Sequence, residues 1–233
     1  ERVAFAKGLF SLKNRNTNAT FRQVRTSLVL MCSGAERCHY CEDSAADEVE
    51  HFRPKDLYPE RTFSWNNYLY SCGPCNGPKR NRFGIFQNGL VEEVARARRA
   101  PIVPPIKGDF ALINPRTENP LDFMKLDLVD TFEFQPIFPV GSREYWRANY
   151  TIDILGLNRR DSLRNARKEA FGDYLDKLEL YVERKSAGFV NSPIPAAVRR
   201  KQHPTVWREM QRQRSSFVEL NSLFIEAPEA LTW

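Results

Sequence analysis

The sequence has no cysteine after residue 75, only three histidines, and no apolar run approaching the roughly 20 residues of a membrane helix. Its first residues, ERVAFAKGLF, show no long apolar segment followed by a small-residue cleavage site. The cysteine count of five is odd, which does not favour a disulfide framework. We therefore expect a cytoplasmic protein that contacts no membrane.

Basic residues are in modest excess, with 35 lysines and arginines against 29 acidic residues and a net charge of +6. The excess is concentrated in residues 1–31, which hold six basic residues and one acidic residue. Residues 36–60 reverse the balance, with eight acidic against three basic residues. The overall charge favours a polyanionic partner without establishing one.

Composition and periodicity divide the chain into four segments. We predict a basic helical segment over 1–31, a cysteine-containing module over 32–100, a proline-rich extended connection over 101–141 and a helical region over 142–233. Seven prolines between 101 and 139 exclude long helices from the third segment. The first, third and fourth segments carry no motif that indicates a chemical activity.

Apolar residues at helical spacing predict the helices of the first and last segments. We expect one helix over 21–30 with Thr20 as its N-cap, one over 145–157, one beginning at Asp161 and one over 206–225. The fold class that follows is α+β, with a small metal-bound module held in a mainly α-helical body.

Two Cys-x-x-Cys pairs stand thirty residues apart in the second segment. They are Cys38, Cys41, Cys72 and Cys75. Four thiolates complete a tetrahedral zinc shell and leave no position for water, so the predicted zinc site is structural. Buried or redox-active cysteines are the alternative, but two matched pairs favour zinc. The fifth, Cys32, is expected to pack as a small apolar side chain.

The segment between the pairs contains His51, the best candidate for a general base because a neutral imidazole accepts a proton near pH 7. Glu50 precedes it, and on a strand the two side chains point to opposite faces, so a bent strand end would be needed to bring both to one site. Asn76 follows the second cysteine pair and offers a carbonyl oxygen suited to Mg²⁺.

These residues resemble the HNH nuclease family in its four-cysteine form. The shared elements are an acid–His pair at Glu50-His51, Trp-x-Asn at Trp65 to Asn67, and Cys-x-x-Cys followed by Asn76 and then Lys79. The resemblance covers residues 38–83. It implies a zinc-stabilised ββα-metal (HNH) module embedded in the helical body, and hydrolysis of phosphodiester bonds.

The resemblance also implies the role of each matched residue. His51 would be the base, Asn67 would brace the loop that aims it, Glu50 and Asn76 would hold a catalytic Mg²⁺ or Mn²⁺, and Lys79 would contact the phosphate. Two departures are that the family acid is most often Asp rather than Glu, and that Asn76 stands where many members have His. The second departure argues against softer metals at the catalytic site.

Basic residues around these motifs are candidates for contact with nucleic acid, DNA in preference to RNA. They are Lys55, Lys79, Arg80 and Arg82. We expect the last three at the start of a helix, where backbone N–H groups also attract phosphate. A solvated charged face without a ligand is the alternative.

A wider resemblance adds residues 50–55 (EHFRPK), 112–115 (LINP) and 151–158 (TIDILGLN). Together they look like the HNH component of Septu-type and retron-associated phage defence. That resemblance implies an ABC-type ATPase partner and, in retron versions, a reverse transcriptase with its RNA–DNA product. The competing hypothesis is a zinc-ribbon module that binds nucleic acid or protein without catalysis.

Overall fold

The computed structural model describes residues 2–32, 36–43, 45–94, 96, 100–101, 103–189 and 191–233. Within these ranges the helices lie mainly toward the two ends of the chain, with three two-stranded antiparallel sheets between them. Of the helices in this part of the chain, not one combines the length and the apolar content required to cross a bilayer. The mixture of helices with small sheets agrees with the expected α+β class.

The first segment folds as two helices, α1 (Arg2–Lys13) and α2 (Ala19–Leu30). The asparagines between them end the first helix and begin the second. Asn18 caps α2, since its Oδ1 accepts the N–H of Phe21 at 3.0 Å. The predicted helix is therefore present, but Thr20 lies inside its first turn rather than at its cap.

The cysteine-containing module is built on a hairpin followed by a short helix. Strand β1 (Glu48–His51) pairs antiparallel with β2 (Tyr68–Ser71), with His51 opposite Tyr68. Helix α3 (Gly73–Lys79) follows β2 at once and packs against β1. The order strand, strand, helix is the arrangement that the sequence resemblance implies.

Two further hairpins follow α3. Strands β3 (Gly84–Gln87) and β4 (Leu90–Glu93) are joined by Asn88 and Gly89, both with positive φ, as a two-residue hairpin turn requires. Strands β5 (Met124–Leu126) and β6 (Phe134–Pro136) lie in the proline-rich segment. The described residues of 101–141 contain no α-helix, as their proline content predicts.

The described residues of the last segment are mainly helical. Its helices are α4 (Arg143–Ile154), α5 (Asp161–Ser186), α6 (Ile194–Arg199), α7 (Pro204–Gln213) and α8 (Val218–Glu226). The prediction of one helix over 206–225 is wrong, because a 3-10 turn at Arg214–Ser216 separates α7 from α8. Serine favours such turns because its hydroxyl competes for backbone hydrogen bonds.

The cysteine-containing module and the helical segment share a core. The four paired cysteines belong to the same buried cluster as Leu155, Leu157 and Leu163, which lie at the end of α4 and the start of α5. A second cluster fills the space between α5, α7 and α8 around Tyr174 and Trp207. The module is thus packed directly on the first turns of α5.

Candidate metal centre and histidine site

The two Cys-x-x-Cys pairs converge on one point. The sulfur atoms of Cys38, Cys41, Cys72 and Cys75 lie within 4.8 Å of one another, and all four side chains are buried. The Sγ atoms of Cys41 and Cys72 are 3.7 Å apart. Tetrahedral zinc with Zn–S bonds of about 2.3 Å places its sulfurs about 3.8 Å apart. The cluster therefore has the ligands and dimensions to hold a zinc ion.

The two other candidate ligands nearby have different partners. His39 lies inside the first cysteine pair, but its Nδ1 accepts the backbone N–H of Tyr70 at 3.2 Å. The thiol of Cys32 lies 2.9 Å from the carbonyl oxygen of Arg37 and is only half-buried. Neither side chain belongs to the four-sulfur cluster.

His51 ends β1 and is held by a hydrogen bond on one ring nitrogen. Its Nε2 lies 2.9 Å from the carbonyl oxygen of Thr62. Because a carbonyl oxygen only accepts, Nε2 carries the proton and Nδ1 keeps its lone pair. The Tyr68 hydroxyl donates to the same carbonyl at 2.9 Å, so two donors fix its position. The ring is oriented as a neutral base with a free Nδ1.

The surroundings of His51 are apolar. The rings of Phe10 and Tyr68 meet the imidazole edge to face, with centroids 4.5 and 5.3 Å away, and the residue is 2% exposed. Burial lowers the pKa of His51 to about 4, opposed by the hydrogen bond to the Thr62 carbonyl. The imidazole is therefore uncharged near pH 7, and α1 covers it.

Asn67 forms hydrogen bonds to two separate positions of the loop between the two strands. Its Oδ1 accepts the N–H of Arg53 at 2.8 Å, and its Nδ2 donates to the carbonyl oxygens of Arg53 and Arg61 at 3.0 and 3.2 Å. The next carbonyl after Arg61 is that of Thr62, which orients His51. These contacts place Asn67 where it can brace the loop beside the imidazole.

Glu50 and Lys79 form a buried ion pair. The Lys79 ammonium donates to the Glu50 carboxylate and, at 3.0 Å, to the carbonyl oxygen of His51. Lys79 has no exposed surface and Glu50 is 7% exposed. In this structure the ammonium points inward and neutralises a carboxylate from β1. The contact of Lys79 with a phosphate stays a prediction.

Asn76 meets a different carboxylate from the one expected. Its Nδ2 donates to Glu48, two residues before Glu50 and on the same face of β1. Sequence reasoning missed Glu48, although the i, i+2 spacing of the two acids was the signal that could have found it. His51 points to the opposite face, toward α1, so the strand end is not bent enough to bring its ring beside the carboxylates of Glu48 and Glu50.

The other side chains predicted to contact nucleic acid differ in their exposure and in their ion pairs. Lys55 is partly buried, with Nζ 5.2 Å from the ring centroid of Phe10, and burial lowers its pKa. Arg82 forms an ion pair with Glu93 at 2.5 Å, and Arg80 is exposed. Arg80 caps the end of α3, so the expectation of a helix start at these residues is wrong.

Comparison with known proteins finds two relatives, both named Septu protein PtuB. The chain is 40% identical to the one from Bacillus thuringiensis over 154 residues, which cover 64% of this chain and 47% of the relative. It is 25% identical to the one from Bacillus mycoides (strain KBAB4) over 221 residues, which cover 87% of this chain and 67% of the relative.

The chain thus spans about half the length of the first relative and two thirds of the second. No family model matches the chain, and no solved structure matches it. The similarity supports the predicted relation to Septu systems. Membership of the HNH family and a link to retrons remain predictions.

Proposed function

We propose that this chain is a metal-dependent HNH endonuclease that hydrolyses phosphodiester bonds with His51 as general base. The observation that carries the proposal is the hydrogen bond from His51 Nε2 to the Thr62 carbonyl, which leaves Nδ1 free to accept a proton. Asn67, which donates to the carbonyl oxygen of Arg61 next to Thr62, would act as a positioning residue. The side-chain types and their order are those that the sequence resemblance implies.

The oxygen ligands for a catalytic cation would come from the face of β1 that meets α3. The side-chain Nδ2 of Asn76 donates a hydrogen bond to Glu48, and its side-chain carbonyl oxygen accepts none from the described residues. Oxygen donors of this kind fit Mg²⁺ or Mn²⁺. Glu50 would join them as expected, with Lys79 neutralising part of its charge. A bound divalent ion would supply Lewis acidity toward the phosphate.

A structural role for zinc accompanies this proposal. The four-cysteine cluster lies between the hairpin and the first turn of α5, and its closed shell leaves no site for substrate. Zinc at this position would hold β2 and α3 in the orientation that presents Glu48, Glu50 and Asn76 together.

The biological context follows from the relatives. Both are named as Septu proteins, and we propose the same setting, an antiphage defence system, for this chain. The partners implied are an ABC-type ATPase and, in retron versions, a reverse transcriptase with its RNA–DNA product. The substrate we propose is nucleic acid, DNA in preference to RNA, met in the cytoplasm by a chain of net charge +6.

The proposed reaction requires a rearrangement at His51. Phe10 packs edge to face against the imidazole, which is 2% exposed, so a phosphate group has no open approach to Nδ1 in this conformation. Helix α1 or the loop carrying Thr62 would have to move when substrate or a partner binds, and the end of β1 would have to bend so that Nδ1 reaches the face that carries Glu48 and Glu50. The Lys7–Asp56 ion pair of 2.5 Å, which joins α1 to that loop, would break or shift with it.

The test is the variant His51→Ala, purified with its genomic neighbours and assayed on plasmid DNA and tRNA with Mg²⁺. We expect cleavage to fall at least a hundredfold, as loss of a general base predicts, while zinc content and circular dichroism stay as in the wild type. The matched control is His203→Ala, which removes an equally buried imidazole from the start of α7. Equal cleavage by His51→Ala and the wild type would eliminate the proposed base.

The alternative function is a zinc-ribbon module that binds nucleic acid or protein without chemistry. The observation that favours it is the closure of the site: Lys79 already neutralises Glu50, and α1 covers His51. Under this hypothesis the wild type binds nucleic acid and leaves it intact with any divalent ion and any partner. The same cleavage assay therefore separates the two functions.

A further inference from the structure

With zinc bound, the four-cysteine cluster carries a negative charge that its own atoms do not neutralise. Four thiolates and one Zn²⁺ carry a net charge of −2, and the cysteine side chains are 0–3% exposed. A buried charge of this size is strongly unfavourable unless opposite charges or hydrogen-bond donors lie against it. Among the described residues, Arg160, just before α5, places a positive charge against one of the sulfurs.

Arg160 makes direct contact with the cluster. Its Nη2 donates to the sulfur of Cys75 at 3.2 Å, and its Nε donates to the carbonyl oxygen of Gly156 at 3.3 Å. The second bond fixes the guanidinium against the turn between α4 and α5. Arg160 is thus a charged donor held on a metal ligand.

Arg167 lies seven residues further on, two helical turns along the same face of α5. It is 2% exposed, its Nη1 donates to the carbonyl oxygen of Phe132 at 2.9 Å, and its guanidinium lies 4.5 Å from the Phe134 ring. Burial lowers its pKa to about 10, while the carboxylate of Glu42 and the sulfur of Cys41 oppose that shift. No carboxylate of the described residues forms an ion pair with it.

We propose that Arg160 is a counter-charge of the zinc–thiolate centre, and that it positions Cys75 and lowers its reactivity. A hydrogen bond from a guanidinium withdraws electron density from the sulfur, which makes the thiolate a poorer nucleophile and slows loss of the metal. The contact also couples the helical segment to the metal, since it joins α3 to the start of α5. The proposal rests on zinc in the cluster and is independent of nuclease activity.

The experiment compares three substitutions of Arg160 in the zinc-loaded full chain. Arg160→Lys keeps a charge and a donor, Arg160→Gln keeps a donor alone, and Arg160→Met keeps neither. The control is Arg159→Met, which removes an adjacent exposed arginine paired with Asp153. The readouts are the rate of zinc release to a chromophoric chelator and the rate at which iodoacetamide alkylates each cysteine, mapped by mass spectrometry.

We expect Arg160→Met to release zinc about tenfold faster, in line with the effect of removing outer-shell partners of a metal ligand. Alkylation should rise at Cys75 more than at the other three ligands. Arg160→Lys should restore most of the wild-type behaviour, Arg160→Gln only part, and Arg159→Met should match the wild type.

Two results would overturn the proposal. The first is a protein that purifies without zinc. The second is an Arg160→Met variant that melts at a lower temperature yet releases zinc and alkylates as the wild type does, which would reduce Arg160 to a packing role. Because no readout uses cleavage, an inactive but zinc-loaded protein would contradict the proposed nuclease and leave this proposal supported.

Discussion

The acid–base behaviour of His51 is set by its neighbours rather than by the imidazole itself. The Thr62 carbonyl selects the tautomer, and the rings of Phe10 and Tyr68 remove water from the site. The first contact makes Nδ1 the basic atom, and the second brings the pKa down to about 4. The same residue on an open surface would titrate near pH 6.5.

Replacing Phe10 by alanine tests this account. Water would reach the imidazole in Phe10→Ala, so the pKa of His51 should rise from about 4 toward 6.5, measured by NMR titration of the ring nitrogens. In the wild type, between about pH 4 and pH 6.5, His51 is protonated in the unfolded chain and neutral in the folded protein. Its contribution to stability is therefore present above about pH 6.5 and lost as the pH falls toward 4.

Phe10→Ala should therefore narrow the pH range over which His51 affects stability, because the folded and unfolded pKa values come closer together. It should also lower the free energy of unfolding at pH 7. Phe5→Ala, an exposed position on the same helix, should change neither the pKa nor the stability. An unchanged pKa in Phe10→Ala would show that α1 does not control the access of water to His51.

At the scale of elements, the alternation of β1 decides which side chains can act together. Glu48 and Glu50 face α3, where they meet Asn76 and Lys79, while Val49 and His51 face α1 and α2. Helix α3 therefore contributes partners to the carboxylates and none to the imidazole. The sequence motif predicts Glu50, His51, Asn76 and Lys79 for one site, but β1 places the imidazole on one face and the other three side chains on the opposite face.

The buried pair between β1 and α3 predicts the effect of removing its cation. Lys79→Met would leave the Glu50 carboxylate buried with no opposite charge and should lower the free energy of unfolding by about 3–5 kcal/mol. Urea titration followed by circular dichroism measures the loss. Arg80→Met, at the next and exposed position, should change stability by less than about 0.5 kcal/mol. Equal stability of the two variants would contradict the internal role of Lys79.

For the molecule as a whole, the cysteine cluster is the junction of the fold. It shares one buried core with the hairpin module and the start of α5, so both parts of the chain depend on it. Helix α1 packs on the hairpin in a separate cluster, through Phe10. Packing from distant parts of the sequence therefore explains why so small a sheet can be stable.

Loss of one cysteine of the cluster should therefore affect the whole chain. We expect Cys72→Ser to lose zinc and cooperative unfolding together, because metal binding supplies folding free energy to the module. Elemental analysis and thermal denaturation check both effects on one sample. Cys32→Ser, outside the cluster, should keep its zinc and its melting temperature. A native-like, metal-free Cys72→Ser protein would contradict this role of the cluster.

Much of the fold follows from local sequence. The cysteine spacing predicts the four-sulfur cluster, apolar periodicity predicts α2, α4 and α5, and prolines exclude helices from the connection. The dipeptide Asn88-Gly89 is a typical hairpin-turn sequence and would have predicted the β3–β4 hairpin. His203, at the start of α7, is 1% exposed and lies 3.3 Å from the carboxylate of Asp43, a contact that no local pattern predicts.

The sequence by itself determined the four cysteines of the cluster and the positions of most helices, because metal ligation and helix periodicity depend on spacings of a few positions. Only the tertiary structure decided their partners: Lys79 with Glu50, Asn76 with Glu48, Phe10 on His51 and Arg160 on Cys75. Each of these contacts joins residues 28 or more positions apart. No local periodicity encodes such a distance, so the contact exists only after the strands and helices have packed.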